Sequence, residues 1–168
     1  MRRYLLVLWA VAGIAKADSI GAAYAGQYAF NAFIAPTGLI LLGGLYIDTS
    51  HPDTLLIGDY ADRPNGAIYS VALTRDPATD RITGLGAATL YASAPDIDGG
   101  LTMAPDGDLV FTEYSDDKVG QLKPGSTSPD ATVSLSLSAS TGGMAFIPPG
   151  MSGAGSACLL YTSPSPRD

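Results

Sequence analysis

The sequence predicts an all-β chain assembled from one recurring unit, and three observations carry that reading. Short runs rich in Val, Ile, Leu, Tyr and Phe are punctuated by Gly, Pro, Asp, Asn and Ser, and beyond the first seventeen residues no stretch keeps helical apolar spacing over three turns. Fourteen of the fifteen acidic residues between 18 and 157 are Asp, whose short side chain bonds nearby backbone N–H groups in turns, whereas Glu suits helices. A Gly-Gly-apolar-x-apolar pattern occurs at Gly43 to Ile47, Gly99 to Met103 and Gly142 to Phe146. Its copies are 56 and 43 residues apart, close to the ~40–50 residues of a four-stranded propeller blade. The expected architecture is a partial β-propeller of about two and a half four-stranded blades.

In chain order, Met1-Arg2-Arg3 is a short basic segment, Tyr4 to Ile14 is apolar, and Ala15-Lys16-Ala17 is a small-x-small cleavage site. These are the three parts of an export signal. Residues 1–17 are read as a signal peptide, and the apolar run is shorter than the ~20 residues of a membrane span. The mature chain then begins near Asp18, in the periplasm, outside the cell or at its surface.

Strands are predicted over Gly44 to Ile47, Thr54 to Asp59, Ala67 to Thr74, Ile82 to Tyr91, Leu101 to Ala104, Leu109 to Tyr114, Lys118 to Lys123, Thr132 to Leu137 and Met144 to Ile147. Each diglycine strand runs into a Pro-containing turn. The first two then continue alike, Leu55 to Tyr60 against Leu109 to Tyr114, each closing on an acid and a tyrosine. Asn65-Gly66 and Asp106-Gly107 are expected to supply the positive φ that tight hairpins demand. Phe33 to Ile47 is apolar, but Pro36, Gly38, Gly43 and Gly44 break it into strand-sized pieces suited to burial. Tyr46, Tyr60, Tyr69, Tyr91, Phe111 and Tyr114 are expected to pack between blades.

Residues 18–157 carry five basic residues against fifteen acids, a net charge of −10. With no Lys/Arg cluster to displace counterions, nucleic acid and anionic lipid are poor partners. The one cysteine, Cys158, lies outside this segment, so disulfides, zinc–thiolate sites and cysteine catalysis have no residues within it.

Gly99 to Glu113 resembles the blade core of six-bladed propellers of the TolB-like, gluconolactonase-like and NHL type. Leu56 to Gly155 is similar to exported bacterial proteins that carry a PEP-CTERM sorting tail, which implies envelope-associated or matrix roles. Cys158 to Asp168 resembles the translation of a DNA sequencing adaptor. On that resemblance 158–168 is a non-native tail and 18–157 a propeller fragment cut short at its third unit.

The candidate site is acidic. Asp59 and Glu113 close the second strands of two units, and Asp98 precedes an innermost strand. Carboxylates there could coordinate Ca2+, which takes several oxygen ligands. Asp106, Asp108, Asp116 and Asp117 are accounted for by turns. Gluconolactonase-like enzymes hold a divalent ion through Glu, Asn and Asp residues; this segment offers only Asn31 and Asn65. His51, the one histidine, sits in a turn with no Gly-x-Ser-x-Gly elbow in the chain. The sequence therefore predicts an exported binding or surface-structural module, for a small molecule, a polysaccharide or an envelope protein. The rival reading is a fragment of a metal-dependent lactonase with Asp59, Asp98 and Glu113 as partial ligands.

Overall fold

A computed structural model describes residues 5–9, 30–34, 36–60, 65–113, 117–135, 143–147 and 158–161. Among them are twelve strands and no helix: β1 (Leu5–Trp9), β2 (Phe30–Ile34), β3 (Leu42–Ile47), β4 (Thr54–Asp59), β5 (Ala67–Arg75), β6 (Ile82–Ser93), β7 (Ile97–Met103), β8 (Leu109–Glu113), β9 (Lys118–Leu122), β10 (Ala131–Ser134), β11 (Met144–Ile147) and β12 (Cys158–Tyr161). Two four-stranded antiparallel sheets, β3-β4-β5-β6 and β7-β8-β9-β10, follow chain order from one edge to the other. β3 packs beside β7, and β7 beside β11. Leu5–Trp9, read above as part of the leader, pairs in parallel with β2, and β12 pairs antiparallel with β11.

The turns form for the reasons expected, with one correction. In the β7–β8 turn Gly107 N–H donates to Ala104 O at 3.0 Å with Gly107 at φ +93°, a tight turn closed by a left-handed glycine. Pro124-Gly125 makes the next such corner, with Ser126 N–H on Lys123 O at 3.0 Å and Gly125 at φ +85°. Between β5 and β6, the Asp76 carboxylate accepts the N–H groups of Ala78 and Thr79. Asp80, Asp96 and Asp117 all take positive φ, a conformation that Asp tolerates better than most residues. Asn65-Gly66 departs from the expectation: Gly66 is not left-handed. A Cβ there would lie 2.6 Å from Ala94 O and 3.0 Å from Ile97 Cγ2. Within the β4–β5 connection its lack of a side chain serves close approach rather than a positive φ.

The second diglycine strand begins four residues earlier than predicted, because Asp98-Gly99-Gly100 is a bulge inside β7. Pairing moves from Ile97↔Glu113 to Leu101↔Phe111. The first diglycine is also a bulge, between Leu42↔Asp59 and Leu45↔Ile57. Such irregularities bend a strand and sharpen its twist.

The central strands are buried on both faces: Leu55 to Asp59 of β4 and all of β8. β10, at an outer edge, is exposed throughout. One core joins the two sheets, with Leu56, Ile68, Ala92 and Ala94 against Ile97, Leu101, Leu109, Phe111 and Leu122, and Tyr46, Tyr60 and Met103 at its margin. A second lies on the other face of the first sheet, where Leu55, Ile57, Val71 and Leu73 meet Leu39, Leu42 and Ile47. The apolar run before β3 is therefore divided. Leu39 and Leu42 pack inward, while Ile40 and Leu41 are 66% and 48% exposed. Tyr91 is also exposed, whereas Phe111 is fully buried; Tyr114 lies outside the described residues.

Candidate functional site

Four glycines cut a track across one face of the first sheet, and the chain that leaves this sheet for the next is seated in it. Gly66 precedes β5, Gly58 lies on β4, and Gly43 and Gly44 lie on β3. A Cβ on Gly58 would meet Ile97 Cδ1 at 2.8 Å, one on Gly43 would meet Asp98 O at 2.2 Å, and one on Gly44 would meet Leu101 Cβ at 2.7 Å. Real Cβ atoms do not approach so closely; at Gly43 and Gly44 the obstacle includes backbone, so glycine is required there, whereas at Gly58 it is the movable end of Ile97. The connector Ala94-Pro95-Asp96 is held there by Ala94 N–H on Gly66 O at 2.9 Å and Ile97 N–H on Ala94 O at 3.2 Å.

This seam sets the three candidate carboxylates at one end of the sheets. Asp59 ends β4 opposite Leu42, at the start of β3. The adjoining Gly43 abuts the carbonyl of Asp98 near the start of β7, and Ile97 pairs with Glu113 at the end of β8. Asp59 and Glu113 thus hold equivalent places in the two sheets, and both are buried.

Their chemistry differs from that of open ligands. Asp59 Oδ2 and Oδ1 accept the backbone N–H groups of Ile40 and Leu41 at 3.2 and 3.0 Å, while Tyr60 N–H donates to Leu41 O at 2.9 Å. The carboxylate therefore ties the segment before β3 across the strand end and compensates its own burial. Glu113 pairs in register with Lys118. Asp98 is half-buried in the β7 bulge. Among the described residues no three His, Cys, Asp or Glu side chains are grouped as a metal set, so Asp59, Asp98 and Glu113 share an end of the fold without converging on one point.

The opposite end of the first sheet is polar as well. Arg75 donates through Nε to Asp53 Oδ1 at 2.8 Å, through Nη1 to Asp80 O at 3.0 Å and through Nη2 to Pro52 O at 2.8 Å. It clamps the β3–β4 turn to the β5–β6 turn beside an open cleft that Asp76 and Pro77 also line. In the same turn region His51 Nδ1 is 2.8 Å from Asp48 Oδ2. Burial tends to raise the Asp48 pKa, but the hydrogen bonds from His51 and from Ser50 N–H outweigh it and hold the carboxyl below its usual value. The imidazole is largely exposed, as befits a solvated turn residue.

Sequence reasoning missed the roles of Gly58 and Gly66. The one signal for Gly58 was the glycine interrupting an otherwise apolar strand immediately before Asp59. No helix among the described residues is long and apolar enough to cross a membrane. A scan against protein-family models and searches of curated proteins and of solved structures found no match.

Proposed function

We propose that this chain is a segment of an exported β-propeller of the TolB-like, gluconolactonase-like or NHL type, acting as a binding or surface-structural module. One observation carries the reading. Two sheets with the same strand order stand with their first strands side by side, and β11 continues that row, the arrangement expected of successive blades around an axis. The strand ends at Asp59, Asp98 and Glu113 then open toward a ligand, whether a small molecule, a polysaccharide or an envelope protein. In this role Asp59 is a structural tie, the half-buried Asp98 meets the ligand, and the buried Glu113 supplies charge at the same strand end.

The test is to produce the full chain with its leader in a Gram-negative host, recover it from the periplasm, and titrate it with Ca2+ and with neutral and acidic oligosaccharides. In parallel it is incubated with glucono-1,5-lactone and divalent ions. Saturable binding weakened by Asp98→Asn or Glu113→Gln, without lactone turnover, is the expected result. Metal-dependent turnover lost in the same variants would replace the binding module with a hydrolase. Retention in the cytoplasm would overturn the exported assignment.

A further inference from the structure

We propose that Asn65-Gly66 is a self-modification site, at which Asn65 converts spontaneously to aspartate and isoaspartate in the folded protein. Gly66 lies in the β4–β5 connection without the positive φ expected of it, and beside it stands an exposed asparagine. The Asn65 amide has no hydrogen-bond partner among the described residues. The seam holds Gly66 through its carbonyl, which accepts from Ala94 N–H, and through the packing at its Cα. The reaction requires motion in ψ and χ1 of Asn65, an exposed residue.

The chemistry is self-contained. The Gly66 nitrogen attacks Asn65 Cγ, its proton passes to the departing amide nitrogen, ammonia leaves, and a five-membered succinimide closes. Water then adds to either ring carbonyl and the corresponding C–N bond opens. One product carries an ordinary aspartate in place of Asn65. The other routes the backbone through the former side chain, which inserts a methylene one residue before the Gly66–Ala94 contact. Both add a negative charge to an already acidic chain. The isoaspartyl form also displaces Gly66 from the track, so ageing at this position loosens the seam between the sheets.

Asn31, followed by Ala32, is the chain's only other asparagine and serves as an internal reference. The purified full chain is incubated at mildly alkaline pH, native and in urea, and sampled by peptide mapping with mass detection and by enzymatic methyl labelling of isoaspartate. The expected result is conversion at Asn65 well ahead of Asn31, at a native rate within about tenfold of the urea rate, since only local freedom is needed. The methyl label on the peptide that holds position 65 should disappear in Asn65→Ser, whatever label Asp98-Gly99 and Asp106-Gly107 contribute elsewhere, and the aged pool should melt earlier than the fresh one. Conversion confined to the urea sample would overturn the proposal, because the seam would then hold the Gly66 nitrogen out of reach. Equal rates at Asn65 and Asn31 would overturn it too.

Discussion

The two four-stranded sheets follow one plan, yet they fill it with different residues. On β4 the position before the acid is Gly58; on β8 it is Thr112. Thr112 is fully buried and its Oγ1 accepts the Gly100 N–H at 2.9 Å, so the second sheet repairs its own bulge. The first sheet cannot do the same. A side chain on Gly58 would point toward Gly44 N, but it would first strike Ile97 of the next sheet. One step along, Ile57 pairs with Tyr69, whereas Phe111 pairs with Gly120. The Phe111 ring lies over Gly120 so closely that a Cβ there would be 2.2 Å from Cζ, an aromatic side chain covering the gap left by a strand glycine. The first sheet is thus completed by its neighbour, and the second largely by itself.

The largest expected effect tests that self-sufficiency. Phe111→Ala removes the ring that fills the core between the sheets and uncovers Gly120, and should cost about 3–5 kcal/mol in denaturant unfolding. Restoring volume from the other side with Gly120→Ala in the Phe111→Leu background should recover part of the loss; complete independence of the two sites would break the pairing argument.

Next comes the contrast between the two diglycines. Gly43→Ala forces backbone apart and should cost about 3 kcal/mol. At Gly99 a Cβ meets nothing within 4 Å, so Gly99→Ala should change the unfolding free energy by no more than about 0.5 kcal/mol. Equal losses would mean that the seam is not what separates them.

Thr112→Val keeps the shape and deletes the acceptor for Gly100 N–H, for a loss of about 1–3 kcal/mol. Local hydrogen exchange should report it at Gly100 before the global melt does.

The smallest effect lies at the hairpin turns, and there the sheets should agree. Asp76 in the first is held below its usual carboxyl pKa by the N–H groups of Ala78 and Thr79. Asp130 in the second is lowered by the Ser126 hydroxyl and the Lys123 N–H. A depressed folded-state pKa adds stability above the unfolded value, lost as pH falls through the folded one, so both contributions should fade below about pH 4. Asp76→Asn and Asp130→Asn should flatten the acid limb of the stability curve similarly; a clear difference would show that the two turns are not equivalent.

Much of the fold was legible because its signals are local. Alternating apolar runs and Pro-Asp-Gly corners placed β4, β5, β8, β9 and β11 to within about two residues, the usual scatter of strand ends. The seam was not legible. Gly58 and Gly66 matter because Ile97 and Ala94 reach them from 39 and 28 residues further along the chain, and no local pattern encodes that encounter. Burial of the whole 33–47 stretch was expected from its apolarity. Asp59 instead takes the Ile40 and Leu41 N–H groups, which keeps those residues out of the strand and leaves their side chains in solvent. For the carboxylates, the repeat gave the strand ends that Asp59 and Glu113 occupy. It did not give the directions of their side chains, because each bulge rotates its strand by an amount that only pairing determines.

The glycine track also imposes an order on synthesis. Residues 42–93, which supply every strand of the first sheet, leave the ribosome before residues 94–101, and until those arrive the slot is a bare strip of main chain shaped for an extended segment. Any foreign strand that reaches it first competes with the proper occupant, so the hazard for this protein is concentrated in the brief interval before its own next eight residues arrive.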